Sequence, residues 1–178
     1  MKKPRAFFIG LAIVIVAFTI FAIVYRAIYS MDIARSYQVN SPHFETSLFI
    51  ATQSSPFKDR LVNQLVDSLE KHPLFIQVKD ISRLESISPE EWNAILVIHT
   101  WEYYKAPNAV RQFASDWKEL DHIVYFSTSG DGGYALEDVD AISGASKEDQ
   151  IENYTVQILD KLRPHILSKP IDQNHIVH

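Results

Sequence analysis

From Ala6 to Tyr25 the chain runs AFFIGLAIVIVAFTIFAIVY, a stretch without a single charge. A helix rises about 1.5 Å per residue, so roughly 20 apolar residues cross the ~30 Å hydrocarbon core of a bilayer. A secretory signal peptide has a shorter apolar region, about 7–15 residues, ahead of a small-residue cleavage site. Here the run is longer and is followed by Arg26, Ala27, Ile28 and Tyr29, which predicts a retained anchor. Lys2, Lys3 and Arg5 precede the span. By the positive-inside rule the N-terminus stays cytoplasmic and the rest of the chain is extracytoplasmic.

That anchor divides the chain. Residues 1–5 form a cytoplasmic N-terminus, 6–25 the single-pass transmembrane anchor and 26–45 a juxtamembrane linker. One soluble domain is expected over 46–166, then a C-terminal tail over 167–178 without periodicity. A length of 178 residues has room for one core beside an anchor, not two. Five of the 17 basic residues and one of the 22 acidic residues precede Ser36, leaving 12 against 21 and a net charge of −9 beyond it. So acidic a domain is unsuited to nucleic acid or to an anionic lipid surface. The absence of cysteine excludes disulfides, thiol chemistry, Cys-ligated zinc and a lipidated Cys.

Within the domain, strand and helix patterns alternate. Ser47–Thr52 is a short apolar run, and Leu61, Val62, Leu65, Val66 and Leu69 then recur at helical spacing over 58–71. Phe75–Ile81 alternates as a strand near an edge, whereas AILVI at Ala94–Ile98 reads as a strand covered on both faces. A helix over 109–120 buries Val110, Phe113, Ala114 and Trp117, and His122–Phe126 is a fourth strand. Val139–Ile142 is a short fifth strand. A helix over 151–162, ended by Pro164, closes the domain. Such alternation predicts a mostly parallel sheet with helices on both faces.

In a doubly wound sheet, ligands bind beyond the carboxyl ends of the strands. Three loops there stand out. Thr52-Gln53-Ser54-Ser55-Pro56-Phe57-Lys58 is hydroxyl-rich and leads into a helix N-terminus, a setting that suits a phosphate. His99-Thr100-Trp101-Glu102-Tyr103-Tyr104 is rich in aromatics. Ser127-Thr128-Ser129-Gly130-Asp131-Gly132-Gly133-Tyr134 is a glycine-rich turn closing on another aromatic. A phosphate cradle and two aromatic platforms describe a site for a flat, phosphorylated ligand.

These loops, in this order and spacing, resemble those of the flavodoxin-like family, with similarity from about Ser47 to Ile166. The resemblance implies an α/β fold: a parallel five-stranded sheet of order 2-1-3-4-5 with helices on both faces, here preceded by one transmembrane helix. It implies FMN, with the phosphate on Thr52, Gln53, Ser54 and Ser55. The isoalloxazine would lie between Trp101, paired with Thr100, and Tyr134, in the loop of Ser129, Gly130 and Asp131. The implied activity is electron transfer, or reduction of a small acceptor, by a membrane-tethered flavoprotein serving a redox partner protein. The chain departs from the family where Ser55 replaces a Gly, Phe57 a hydroxyl and Tyr104 a Gly that admits the flavin. The helix after the fourth strand is also cut to a few residues. These departures keep a second function open: a flavin-free flavodoxin fold serving as a binding or assembly module at the membrane.

Asp140-Ala141-Ile142-Ser143-Gly144-Ala145-Ser146 resembles the signature at which exported flavoproteins receive covalent FMN, with Ser146 as the acceptor hydroxyl. The same residues are also expected to supply the fifth strand and a turn in which Ser146 caps the last helix. Asp131, Asp138 and Asp140 read as turn formers rather than a cation site. His99 is the only histidine placed at the site, and Trp92 and Trp117 read as packing residues. The sequon at Asn153 falls in a helix. No Walker loop, Gly-x-Ser-x-Gly elbow or His-Glu-x-x-His is present.

Overall fold

A computed structural model describes residues 3–29, 31–102 and 104–167. Beyond Leu167 the expected tail lies outside the described residues, as does Tyr103. The chain divides into two units between Met31 and Asp32. The first holds helix α1 (Lys3–Tyr29), whose stretch Phe7–Tyr25 is long and apolar enough to cross a membrane. Its hydroxyl at Thr19 donates to the Ile15 carbonyl at 2.8 Å, a bond made within the helix itself.

The second unit is a seven-stranded sheet with helices on both faces. In chain order it comprises β1 (Asp32–Ile33), β2 (Tyr37–Val39), β3 (Thr46–Ser54), α2 (Pro56–Leu69), β4 (Leu74–Asp80), β5 (Ala94–Thr100), α3 (Asn108–Asp116), β6 (Ile123–Ser129), β7 (Ala141–Ala145) and α4 (Ile151–Ile166). Strands β4-β3-β5-β6-β7 are parallel neighbours. Counted from β3 as the first strand, that is the flavodoxin-like order 2-1-3-4-5.

Two strands exceed the five expected, and both come from the stretch read as a linker. β2 pairs antiparallel with β4, so β4 is interior rather than an edge. β1 pairs antiparallel with the end of β3, Asp32 opposite Ser54 and Ile33 opposite Gln53. Two- and three-residue strands carry no periodicity of their own; their partners are distant in sequence.

One face of the sheet buries Leu48, Ile50, Leu96 and Ile98 against Leu61 and Leu65 of α2 and Ile158 and Leu162 of α4. The other buries Phe49, Ile95, Val97 and Tyr125 under Val110 and Phe113 of α3, with Ile81 and Leu84 from a short 3-10 helix where a full crossover helix could stand. Trp92 and Trp117 pack against this second face, Trp92 meeting Phe49 at a ring separation of 5.0 Å. Alternate residues of β3 and β5 thus serve opposite cores, as continuous apolar runs demand.

Helix α2 starts as its sequence dictates: Ser55 Oγ accepts from the Lys58 N–H at 3.3 Å and Pro56 occupies the first turn. The start of α4 differs from expectation. β7 runs to Ala145, a 3-10 turn (Glu148–Gln150) intervenes, and Ser146 lies exposed between them, not at the helix cap. Pro164 lies within the last turn of α4, which continues to Ile166.

The short N-terminal strands are tied in by Asn40. It sits at φ 68, a left-handed conformation that Asn tolerates, and its amide donates to the carbonyls of Glu70 (2.9 Å), His72 (3.3 Å) and Leu74 (2.9 Å). Asn40→Ala removes these bonds and places a Cβ-bearing, non-hydrogen-bonding residue at positive φ. A loss of about 1–3 kcal/mol is expected. Urea unfolding of the full chain in detergent micelles, followed by tryptophan fluorescence, measures it; an unchanged midpoint would mean that β2 is not held in this way.

Candidate functional site

The ten residues expected to hold a cofactor do gather at the carboxyl ends of β3, β5 and β6, but not as three open loops. Thr52, Gln53 and Ser54 belong to β3, with Thr52 and Gln53 buried, and only Ser55 is left as a turn. Thr100 ends β5, and Trp101 follows it with its backbone N–H donating to the Thr128 carbonyl at 2.8 Å. Ser129 ends β6 and is buried; Gly130, Asp131 and Tyr134 follow in the glycine-rich turn.

Their polar atoms are engaged with one another. Thr52 Oγ1 donates to the Gln53 carbonyl at 2.8 Å. The Gln53 amide accepts from the Thr100 N–H at 2.7 Å and donates to Glu102 Oε1 at 3.2 Å. Ser54 Oγ reaches both carboxylate oxygens of Asp59, at 3.1 and 3.0 Å. Ser129 Oγ donates to Asp131 at 3.1 Å and accepts from the Gly132 N–H at 2.9 Å. The Asp131 carboxyl is held below its usual range by the Gly133 N–H at 3.0 Å and then by the Ser129 hydroxyl.

At the centre stands a residue that the sequence reading passed over. Lys58 is 1% exposed, and its Nζ donates to Thr100 Oγ1. Thr100 Oγ1 lies 2.8 Å from Thr128 Oγ1, and Thr128 Oγ1 donates to the His99 carbonyl at 3.3 Å. Lys58, Thr100 and Thr128 thus form one connected chain of hydrogen bonds that ends on the His99 carbonyl. Burial pushes the Lys58 amine down to about 8, against the pull of the Glu102 and Asp59 carboxylates. His99 is fully buried with Nε2 2.9 Å from Ser127 Oγ, and burial lowers its pKa to about 4, so the ring is neutral. The signal for Lys58 was its place three and four residues before Leu61 and Val62, on the buried stripe of α2.

The aromatic platforms meet. The rings of Trp101 and Tyr134 are 5.5 Å apart between centroids at an interplanar angle of 33°, and Tyr104 abuts Tyr134 edge-on at 6.0 Å. Tyr104, where the flavodoxin pattern has glycine, lies at φ 61 and is 80% exposed.

The segment from Asp140 to Ser146 has a packing explanation. A Cβ on Gly144 would come within 2.5 Å of the Tyr154 ring, and one on Gly132 within 2.6 Å of the Ala145 backbone nitrogen. Asp140 is paired with Lys161 of α4. The glycine here lets α4 close onto β7.

No protein-family model matches the chain, and no curated protein sequence matches it. Among solved structures it is similar to oxidised Flavodoxin 2 from Bacillus cereus, at 16% identity over 65% of this chain and 99% of that chain, with a TM-score of 0.40. It is also similar to a protein named NADPH-quinone reductase from P. pentosaceus, at 12% identity over 71% and 82%, with a TM-score of 0.31. At these scores the likeness adds nothing to what strand order establishes, and it says nothing of what this chain binds.

The buried amine makes stability depend on pH. Below about pH 8 Lys58 is charged in both states and its burial penalty is complete. Above that the folded state sheds a proton that the unfolded state keeps up to about 10.5, so stability rises with pH. Tyr37 and Tyr125, whose hydroxyls burial pushes up, reverse the slope above about pH 10. From pH 8 to 10 the chain is therefore expected to gain about 2 kcal/mol, a gain absent in Lys58→Met. Urea midpoints across that window test it, and parallel profiles for the two proteins would contradict it.

Proposed function

We propose that the protein is a flavodoxin-fold binding module, tethered to a membrane by α1 with its domain on the exported side, that works without FMN at the strand ends. The direct contact of Trp101 with Tyr134 carries this reading. A flavin ring between them needs roughly 7 Å, two carbon contacts of about 3.5 Å, whereas 5.5 Å is ordinary contact between two rings.

The phosphate end agrees. A phosphate at the start of α2 would use free backbone N–H groups and the positive end of the helix dipole. Here β1 pairs with Gln53 and Ser54, Ser55 caps the helix, and Asp59 places the chain's own carboxylate in the first turn. That carboxylate complements the dipole and repels a second anion. The residues as placed do not fit FMN in the flavodoxin manner.

A second reading, FMN-based electron transfer to a redox partner protein, is favoured by one separate observation. The Trp101 indole N–H is buried with no partner among the described residues, beside Tyr134 at the neighbouring strand end. Equilibrium dialysis of the full chain in lipid nanodiscs against FMN separates the two. The binding-module reading predicts no saturable binding up to about 1 mM, equivalent to roughly −4 kcal/mol. Micromolar binding that is lost in Trp101→Ala would establish the flavoprotein instead.

A further inference from the structure

The two short strands that cover the end of β3 also frame a cleft. Its volume is about 520 Å³, and it lies among the β1–β2 segment, the outer face of α2 and the strands β3 and β4. Pockets of roughly 300–1,000 Å³ are the usual size for small ligands. The hydroxyl-bearing residues expected around a phosphate, Thr52 and Ser54, line this cleft rather than facing the aromatic pair.

Its charges are arranged for something other than phosphate. Asp32 and Asp59 supply two carboxylates and Arg35 one guanidinium, and none of the three has an ion-pair partner among the described residues. Asp67 also acts on Tyr37 and the buried Lys58 amine on Asp59, so three carboxylates face two cations and the field is negative on balance. The Tyr37 phenol, also in the lining, is pushed up by burial and then by the Asp59 and Asp67 carboxylates. Ile33, Val62 and Val78 add apolar wall.

We propose that this cleft binds a small amino-carboxylate of net positive charge, the size of a basic dipeptide. Two ammonium groups answer Asp32 and Asp59, and one carboxylate answers the guanidinium fork of Arg35, which suits bidentate recognition. Such a ligand leaves no charge in the cleft unpaired, whereas an anionic one brings its charge against two carboxylates. The site lies on the β4 side of β3, away from the Trp101–Tyr134 pair, so the inference goes beyond the flavin-free reading while resting, as that reading does, on the β1–β3 pairing.

Isothermal titration of the full chain in nanodiscs with lysyl-alanine tests it, with glutamyl-alanine and lysyl-alaninamide as comparison probes. Lysyl-alanine is expected to bind with a Kd below about 1 mM and glutamyl-alanine not to bind. Asp59→Asn should weaken lysyl-alanine at least tenfold. Because Asp59 also receives the Ser54 hydroxyl, Asp32→Asn on the exposed β1 strand serves as a second variant, also expected to weaken binding. Arg35→Gln should bring lysyl-alanine down to the affinity of the amide. No heat up to 10 mM, equal binding of the acidic dipeptide, or affinities unmoved by both aspartate substitutions would overturn the proposal. FMN held with its phosphate at Thr52–Ser55 would touch the same Thr52 and Ser54, so the dipeptide titrations are made without FMN and read separately from its dialysis.

Discussion

Burying the polar ends of β3, β5 and β6 is the constraint on which the rest of this domain depends. A parallel sheet covered on both faces has nowhere to hide an unpaired hydroxyl, amide or amine, and each such group costs about 1–3 kcal/mol if left without a partner. Thr52, Gln53, Lys58, His99, Ser127, Thr128 and Ser129 are all buried there. Most of them meet the demand among themselves, through the Lys58–Thr100–Thr128 chain, the Gln53 amide and the His99–Ser127 bond, while His99 Nδ1 and the Trp101 indole N–H are buried without a partner among the described residues. Most of the hydrogen-bonding capacity at the strand ends is thus taken up within the fold.

The additions and the losses form one set. β1 lies along the end of β3, where a phosphate loop would leave its backbone open, and the Ala34 N–H is secured by Asp80 Oδ2 at 2.9 Å. Asp59 occupies the first turn of the helix that would face a phosphate. Trp101 and Tyr134 close on each other. Tyr104 holds a left-handed backbone at φ 61 and is largely exposed. The same fold hosts many functions, so the chemistry has to be read from these residues and not from the strand order.

The parts of the fold that were legible in the sequence are those with strong apolar periodicity. AILVI announced a doubly covered strand, and Leu61, Val62, Leu65 and Val66 announced the buried face of α2. The ends of β3 and β6 were not legible. Thr52–Ser54 and Ser127–Ser129 are polar residues that composition assigns to loops, and only the pairing of distant segments makes them strands. β1 and β2 were hidden for the same reason. At the site, Trp101 and Tyr134 do come together, and the sequence carried no information about the gap between them. Ser146, expected as a helix cap, was displaced because β7 extends to Ala145.

Hydrogen exchange of the full chain in nanodiscs, read by mass spectrometry over residues 31–35 and 52–55, probes the β1–β3 pairing on which this account rests. Backbone amides held in a sheet exchange with the slow class of the core, and those in open loops exchange fast. Both segments are expected to exchange slowly, in the same class as the interior of β3 at Leu48–Ala51. Fast exchange in both, beside a slow β3 interior, would mean that the loop after β3 is open and available to a phosphate, and the closed site described here would not exist in solution.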